Sequence, residues 1–127
     1  MQADRTAASE RVERLLPLKT LVFQILLVLH DGEKHGYSIV KRIRERHDGG
    51  RPVAPANLYR TLRTMLSQGL IAESEQRPDP DLDDERRRYF MLTDLGHDTV
   101  AAETARLERL LGAARRELAG NAVGHGR

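Results

Sequence analysis

The stretch from Leu18 to Leu29 constrains the fold more than any other part of the chain. Leu18, Leu21, Val22, Ile25, Leu26 and Leu29 recur at helical spacing, and Phe23, Leu27 and Val28 make the helix apolar nearly all round. Such a helix is stable only when other elements enclose it, so the spacing predicts a central buried helix. The apolar run from Leu15 carries Pro17, Lys19 and Gln24 and is shorter than the roughly 20 residues a membrane span needs. With 127 residues, 4% aromatics and no Trp, the core must come from Leu, Ile, Val and Ala. That suffices for one domain, but an added subunit interface would help.

Ser9 is a candidate N-cap for a short helix through Leu16, which Pro17 ends or restarts. Met1 to Arg14 is too polar for a secretory leader. The absence of cysteine excludes disulfides, thiolate metal sites and cysteine nucleophiles. The chain is therefore expected in the cytoplasm. After Asp31-Gly32 a second helix fits Gly36 to about His47, with Ile39, Val40 and Ile43 inward and Lys41, Arg42, Arg44 and Arg46 on the other faces. Asp48-Gly49-Gly50 breaks it. Pro55 opens a third helix to about Gln68, with Leu58, Leu62, Met65 and Leu66 on one face and Gly69 in the C-cap position. Leu70 to Arg77 and Arg87 to Leu92 read as strands joined by a projecting loop. Thr93 caps a long last helix in which Val100, Thr104, Leu107, Leu111, Ala114 and Leu118 step alternately by four and three, the seam of a helix–helix pair. Val100, Leu107, Leu111, Ala114 and Leu118 are accordingly the candidate dimerisation residues.

This order predicts a mainly α chain with a small β-hairpin, the winged helix-turn-helix arrangement. Its expected parts are an N-terminal extension over 1–17, the winged domain over 18–93, a dimerisation helix over 94–119 and a disordered tail over 120–127. In this arrangement the third helix enters the DNA major groove. The net charge of +2 says little about partners, but its distribution says more. From Lys34 to Gln68 there are eight basic residues and two acidic ones, a net of +6, and no acid lies between Arg51 and Gln68. A solvated helix face rarely lacks acids altogether, whereas a phosphate backbone favours such a surface. Asn57, Tyr59, Arg60, Arg63 and Thr64 occupy the side of the third helix that its leucines leave open. Asn57 and Arg60 suit base edges, since Asn can pair with adenine and Arg with guanine through two hydrogen bonds each. Tyr59 and Arg63 suit phosphate, although Tyr59 also reads as a partly buried core residue. Lys41 on the preceding helix joins them as a candidate DNA contact.

The segment Pro78 to Arg88 begins Asp-x-Asp-x-Asp, as calcium loops do. Those loops need Gly at the sixth position and Glu at the twelfth, where this chain has Asp84 and Phe90. Read as a wing, the segment sets Arg86, Arg87 and Arg88 at the base of the return strand to grip phosphate or the minor groove. Its acidic tip would then stay in water or pair with them. The histidines at 30, 35, 47, 97 and 125 have no ligand spacing. No nucleophile elbow, phosphate-binding loop or dinucleotide fingerprint is present, and no acid–base pair stands out. Neither an enzyme nor a cofactor or metal is expected.

Four stretches together resemble the PadR family over roughly Leu18 to Leu95, with the last helix extending the match. They are Leu26-Leu27-Val28-Leu29 leading to His35-Gly36-Tyr37; Asn57-Leu58-Tyr59 with Leu62; Gly69-Leu70-Ile71; and Arg86-Arg87-Arg88-Tyr89-Phe90-Met91-Leu92-Thr93 with Gly96. The resemblance implies a homodimeric DNA-binding regulator, usually a repressor. It also implies a C-terminal helix packed on its partner and Tyr37, Tyr59 and the wing arginines at the DNA surface. Ala56 and Arg60 depart from the Gly and Pro that many relatives carry there. The single C-terminal helix resembles the short subclass of the family, whose inducers vary. A small apolar effector of unknown identity would enter between the last helix and the first. The competing reading is a winged-helix module that binds protein rather than DNA; such modules tend to replace the third-helix cations with acidic or apolar residues.

Overall fold

The computed structural model describes residues 2–46, 53–74 and 88–124, with side chains between residues 7 and 120. The elements run α1 (Gln2–Leu15), α2 (Thr20–Leu29), β1 (Lys34–His35), α3 (Gly36–Glu45), α4 (Pro55–Ser67), β2 (Ile71–Glu73), β3 (Tyr89–Leu92) and α5 (Asp94–Gly124). α1 begins at Gln2 rather than at Ser9. The central helix begins at Thr20 rather than Leu18, because Lys19 stays extended (ψ 144°) in the connection that Pro17 opens.

α2 is enclosed as its composition requires. Ile25, Leu26, Val28 and Leu29 are buried together with Ile39, Val40 and Ile43 of α3, Leu58, Leu62 and Met65 of α4, Phe90 and Leu92 of β3, and Val100 of α5. Each fully buried aliphatic side chain contributes roughly 1.5–3 kcal/mol. Leu27 is the departure from the all-round expectation, since it stays exposed.

Among the described residues the sheet has three strands in the order β1-β3-β2, all antiparallel. β1 was not expected from the sequence. It pairs Lys34 with Phe90 and His35 with Tyr89, and two residues are too few to show a period of two. In β2 and β3, Ile71 faces Leu92 and Glu73 faces Phe90. Both strands are shorter than expected within the described residues, and residues 75–87, which hold most of the expected wing, lie outside them.

A tight joint connects α4, β2 and α5. Gly69 adopts φ +77°, a left-handed conformation that suits glycine. Its N–H bonds the Leu66 carbonyl and the Leu70 N–H bonds that of Met65, the two bonds of a Schellman C-cap. Thr93 caps α5 by accepting the Gly96 N–H at 3.0 Å, and its hydroxyl donates back to the carbonyls of Gly69 and Leu70. The end of one helix is thus fastened to the start of another.

Candidate nucleic-acid interface

α4 owes its orientation to its leucines. Leu58, Leu62 and Met65 are buried on one side, which leaves Asn57, Arg60, Arg63, Thr64 and Ser67 exposed on the other. The helix starts at Pro55 behind Ala54, with no side-chain cap on its first N–H groups. Thr61, Thr64 and Ser67 direct their hydroxyl protons to the helix's own carbonyls at Asn57, Arg60 and Thr64. The positive charge on this face therefore comes from Arg60 and Arg63. Tyr59 is half-buried and packs against the core, matching the second of its two sequence readings.

α3 lies beside this surface. The His35 Nδ1 accepts the Ser38 N–H at 3.1 Å and so caps the helix. Tyr37 is exposed and stacks on the His35 ring at 6.3 Å, and that ring meets Tyr89 edge-on at 5.7 Å. Lys41, one turn beyond Tyr37, is exposed, as are Arg42, Arg44 and Arg46. Lys34 contributes less to the surface than its charge suggests, because its ammonium lies 2.6 Å from Asp31. That contact holds the Asp31 carboxyl below its ordinary range. Arg88 sits 3.5 Å from Glu73 across the sheet, and its carbonyl accepts the Gly36 N–H. Arg86, Arg87 and the Asp-x-Asp-x-Asp segment lie outside the described residues.

α5 has two parts. Val100, expected in the dimer seam, is only 6% exposed and belongs to the core of its own chain, so it has no surface left for a partner. Leu107 is half-buried, whereas from Glu108 onward most side chains are exposed. Leu110, Leu111 and Leu118 are 58%, 50% and 68% exposed, and Ala114 lies exposed among them. Leu110 was missed because strict four-three stepping skips it, although it shares the same side of the helix. A groove of about 570 Å³ separates α1 from α5, with Val12, Leu16, Ala102 and Ala105 lining it beside Arg106 and Arg109.

Sequence reasoning also missed Glu103, which is 1% exposed. Its carboxylate accepts the Leu18 N–H at 2.7 Å and is held by the Arg106 guanidinium. The hydrogen bond from Arg106 lowers the carboxyl's pKa; burial opposes this, and the Leu18 N–H adds to the lowering. A carboxyl depressed in the folded state stabilises above the ordinary glutamate pKa of about 4.3, and the stabilisation is lost as pH falls through the lower folded value. Glu103→Ala leaves the Leu18 N–H without its acceptor and should cost about 2 kcal/mol at pH 7. Urea denaturation of variant and wild type at pH 7 and pH 3.5 checks this. The gap between them should narrow in acid, and an unchanged gap would contradict the assignment.

An α2 enclosed by α3, α4 and α5, a small antiparallel sheet of β1, β3 and β2, and an acid-free α4 with its cationic side outward define a winged helix-turn-helix protein. The chain belongs to the PadR-like family of transcriptional regulators, whose family model matches residues 25–102. No curated protein matches the chain. Among solved structures it is similar to a PadR family transcription regulator from Clostridium difficile, with TM-score 0.65 and 23% identity over 79% of this chain and 99% of that one. A PadR-like regulator from Bacillus cereus gives TM-score 0.62 and 19% identity over 77% and 90%. Bacillus subtilis PadR, solved in complex with operator DNA, gives TM-score 0.55 and 22% identity over 68% of this chain and 46% of that one. At these identities the likeness shows the fold. Among the described residues no helix is long and apolar enough to cross a membrane.

Proposed function

We propose that this chain is a sequence-specific DNA-binding regulator of transcription, acting in the cytoplasm as a repressor. It binds a near-palindromic operator as a homodimer. One observation carries the reading: α4 turns Arg60 and Arg63 outward on a helix without a single acidic residue. Such a face is attracted to phosphate, and Asn57 and Arg60 supply the groups that distinguish adenine and guanine. Tyr37 and Lys41 extend the contact along α3, and Arg88 with Arg86 and Arg87 extends it at the wing. The operator complex of Bacillus subtilis PadR is consistent with this use of the fold.

The dimer reading rests on the outer half of α5, where half-buried Leu107 and exposed Leu110, Leu111, Ala114 and Leu118 line one side of the helix. The groove between α1 and α5 is the place for a small effector. Its walls are part apolar and part charged, so the ligand carries a polar group as well as an apolar body. Selection of bound duplexes from a random pool tests the main reading. The selected sites should be inverted repeats with half-sites about one helical turn apart, or a multiple of it. A pool with no enriched sequence, together with no gel shift, would favour a protein-binding module instead.

A further inference from the structure

The exposed side of α4 does not end at open solvent. On one flank it borders a groove of about 420 Å³ whose far wall is the connection between α1 and α2. Asn57, Arg60, Thr64 and Gln68 line it from α4, and Lys19 with Pro17 lines it from the connection. Among the described residues no carboxylate lines this groove. Lys19 is exposed.

We infer that Lys19 is a phosphate contact, so that a DNA strand seated on α4 is gripped from the α1–α2 connection as well as from α3 and the wing. This inference rests on the DNA-binding reading and deepens it. Two cations, Lys19 and Arg60, stand on opposite walls of a groove with no acid among its described lining residues, which favours a polyanion over any other occupant. The threonines cannot supply the attraction. The Thr61 and Thr64 hydroxyl protons already go to the helix carbonyls of Asn57 and Arg60, leaving acceptor lone pairs that phosphate does not favour. Facing them, the groove is lined by Leu15, Pro17, Leu18, Val22 and Lys19, and of these Lys19 has the side chain able to hold an anion.

The bank is also held in place before DNA arrives. The Leu18 N–H, adjacent to Lys19, is bonded to the buried Glu103 carboxylate at 2.7 Å. Lys19 itself accepts the Phe23 N–H through its carbonyl at 3.0 Å, closing the first turn of α2. A cation on an anchored backbone loses less freedom on binding than one on a floppy loop.

Full-length Lys19→Ala and Lys19→Arg variants test the inference on two probes, a duplex selected from the random pool and an unrelated duplex of equal length. Lys19→Ala should weaken both about a hundredfold at 0.1 M salt, because the dimer loses two contacts worth close to tenfold each, leave the selected consensus unchanged, and flatten the log–log salt slope by about 0.9 per contact removed. Lys19→Arg should bind within about twofold of wild type. Because Lys19 is exposed, thermal unfolding should not move in either variant. If Lys19→Ala keeps wild-type affinity and slope while an Arg60→Ala, Arg63→Ala double variant loses binding, the inference is wrong and the DNA reading stands. A changed consensus would show Lys19 reading bases and would equally overturn the phosphate assignment. If wild type binds neither probe, both readings fall together.

Discussion

Gly96→Ala should destabilise the protein by at least about 3 kcal/mol. A Cβ at this position would lie 2.1 Å from the Leu70 carbonyl oxygen and 3.3 Å from the Leu92 Cδ2. The carbonyl cannot retreat easily, because it accepts both the Thr93 N–H and the Thr93 hydroxyl. Moving it would loosen the joint that ties the end of α4 to the start of α5. The sign is what makes the test informative. In an ordinary helical position alanine is more favourable than glycine by up to about 1 kcal/mol. Gly112→Ala supplies the control, since its Cβ would meet only the flexible Arg116 tip at 3.5 Å. Thermal denaturation at one fixed protein concentration should show Gly96→Ala melting about 10 °C or more below wild type, with Gly112→Ala level or slightly higher. Equal melting of Gly96→Ala and wild type would refute the packing described.

The second large effect concerns DNA. A variant lacking both Arg60 and Arg63 should lose at least about a hundredfold in affinity at 0.1 M salt, since the dimer loses two Arg63 phosphate contacts, each close to a factor of ten there, besides the Arg60 base contacts. Both residues are exposed, and circular dichroism of the variant checks that it folds. The single variants should separate in kind. Arg60→Ala should relax the base preference at one position in each half-site by roughly 1–3 kcal/mol. Arg63→Ala should weaken selected and unrelated duplexes alike. Competition binding with both duplexes distinguishes these outcomes, and an unchanged preference in Arg60→Ala would move the reading role to another side chain.

Much of this was legible in the residues themselves. The composition of Leu18 to Leu29 required an enclosed helix, and α2 is enclosed. Leu58, Leu62 and Met65 set which way α4 faces, and hence that Arg60 and Arg63 point outward. Gly69 and Thr93 announced their caps through local chemistry alone. What escaped was whatever depends on partners distant in sequence. β1 is a strand only because Phe90 and Tyr89 lie beside Lys34 and His35. Nothing in the sequence singled out Glu103, and only folding places it beneath Leu18, 85 residues earlier. Val100 fitted the seam by spacing, but spacing does not say whether an apolar face meets its own chain or another. Arg88 read as a wing cation for phosphate or the minor groove, with the acidic tip as its candidate partner, whereas Glu73 stands across the sheet from it.

The central claim is that α4 is the DNA-facing helix, with Arg63 on the phosphate backbone and Arg60 on base edges. Its most direct test is the affinity of the full-length protein for a selected duplex, measured from 50 to 300 mM salt, for wild type and for the variant lacking Arg60 and Arg63. The expected wild-type result is a steep linear fall of log affinity with log salt. The variant's slope should be shallower by about 0.9 for every phosphate contact removed from the dimer. A flat wild-type response, or identical slopes for the two proteins, would contradict the claim.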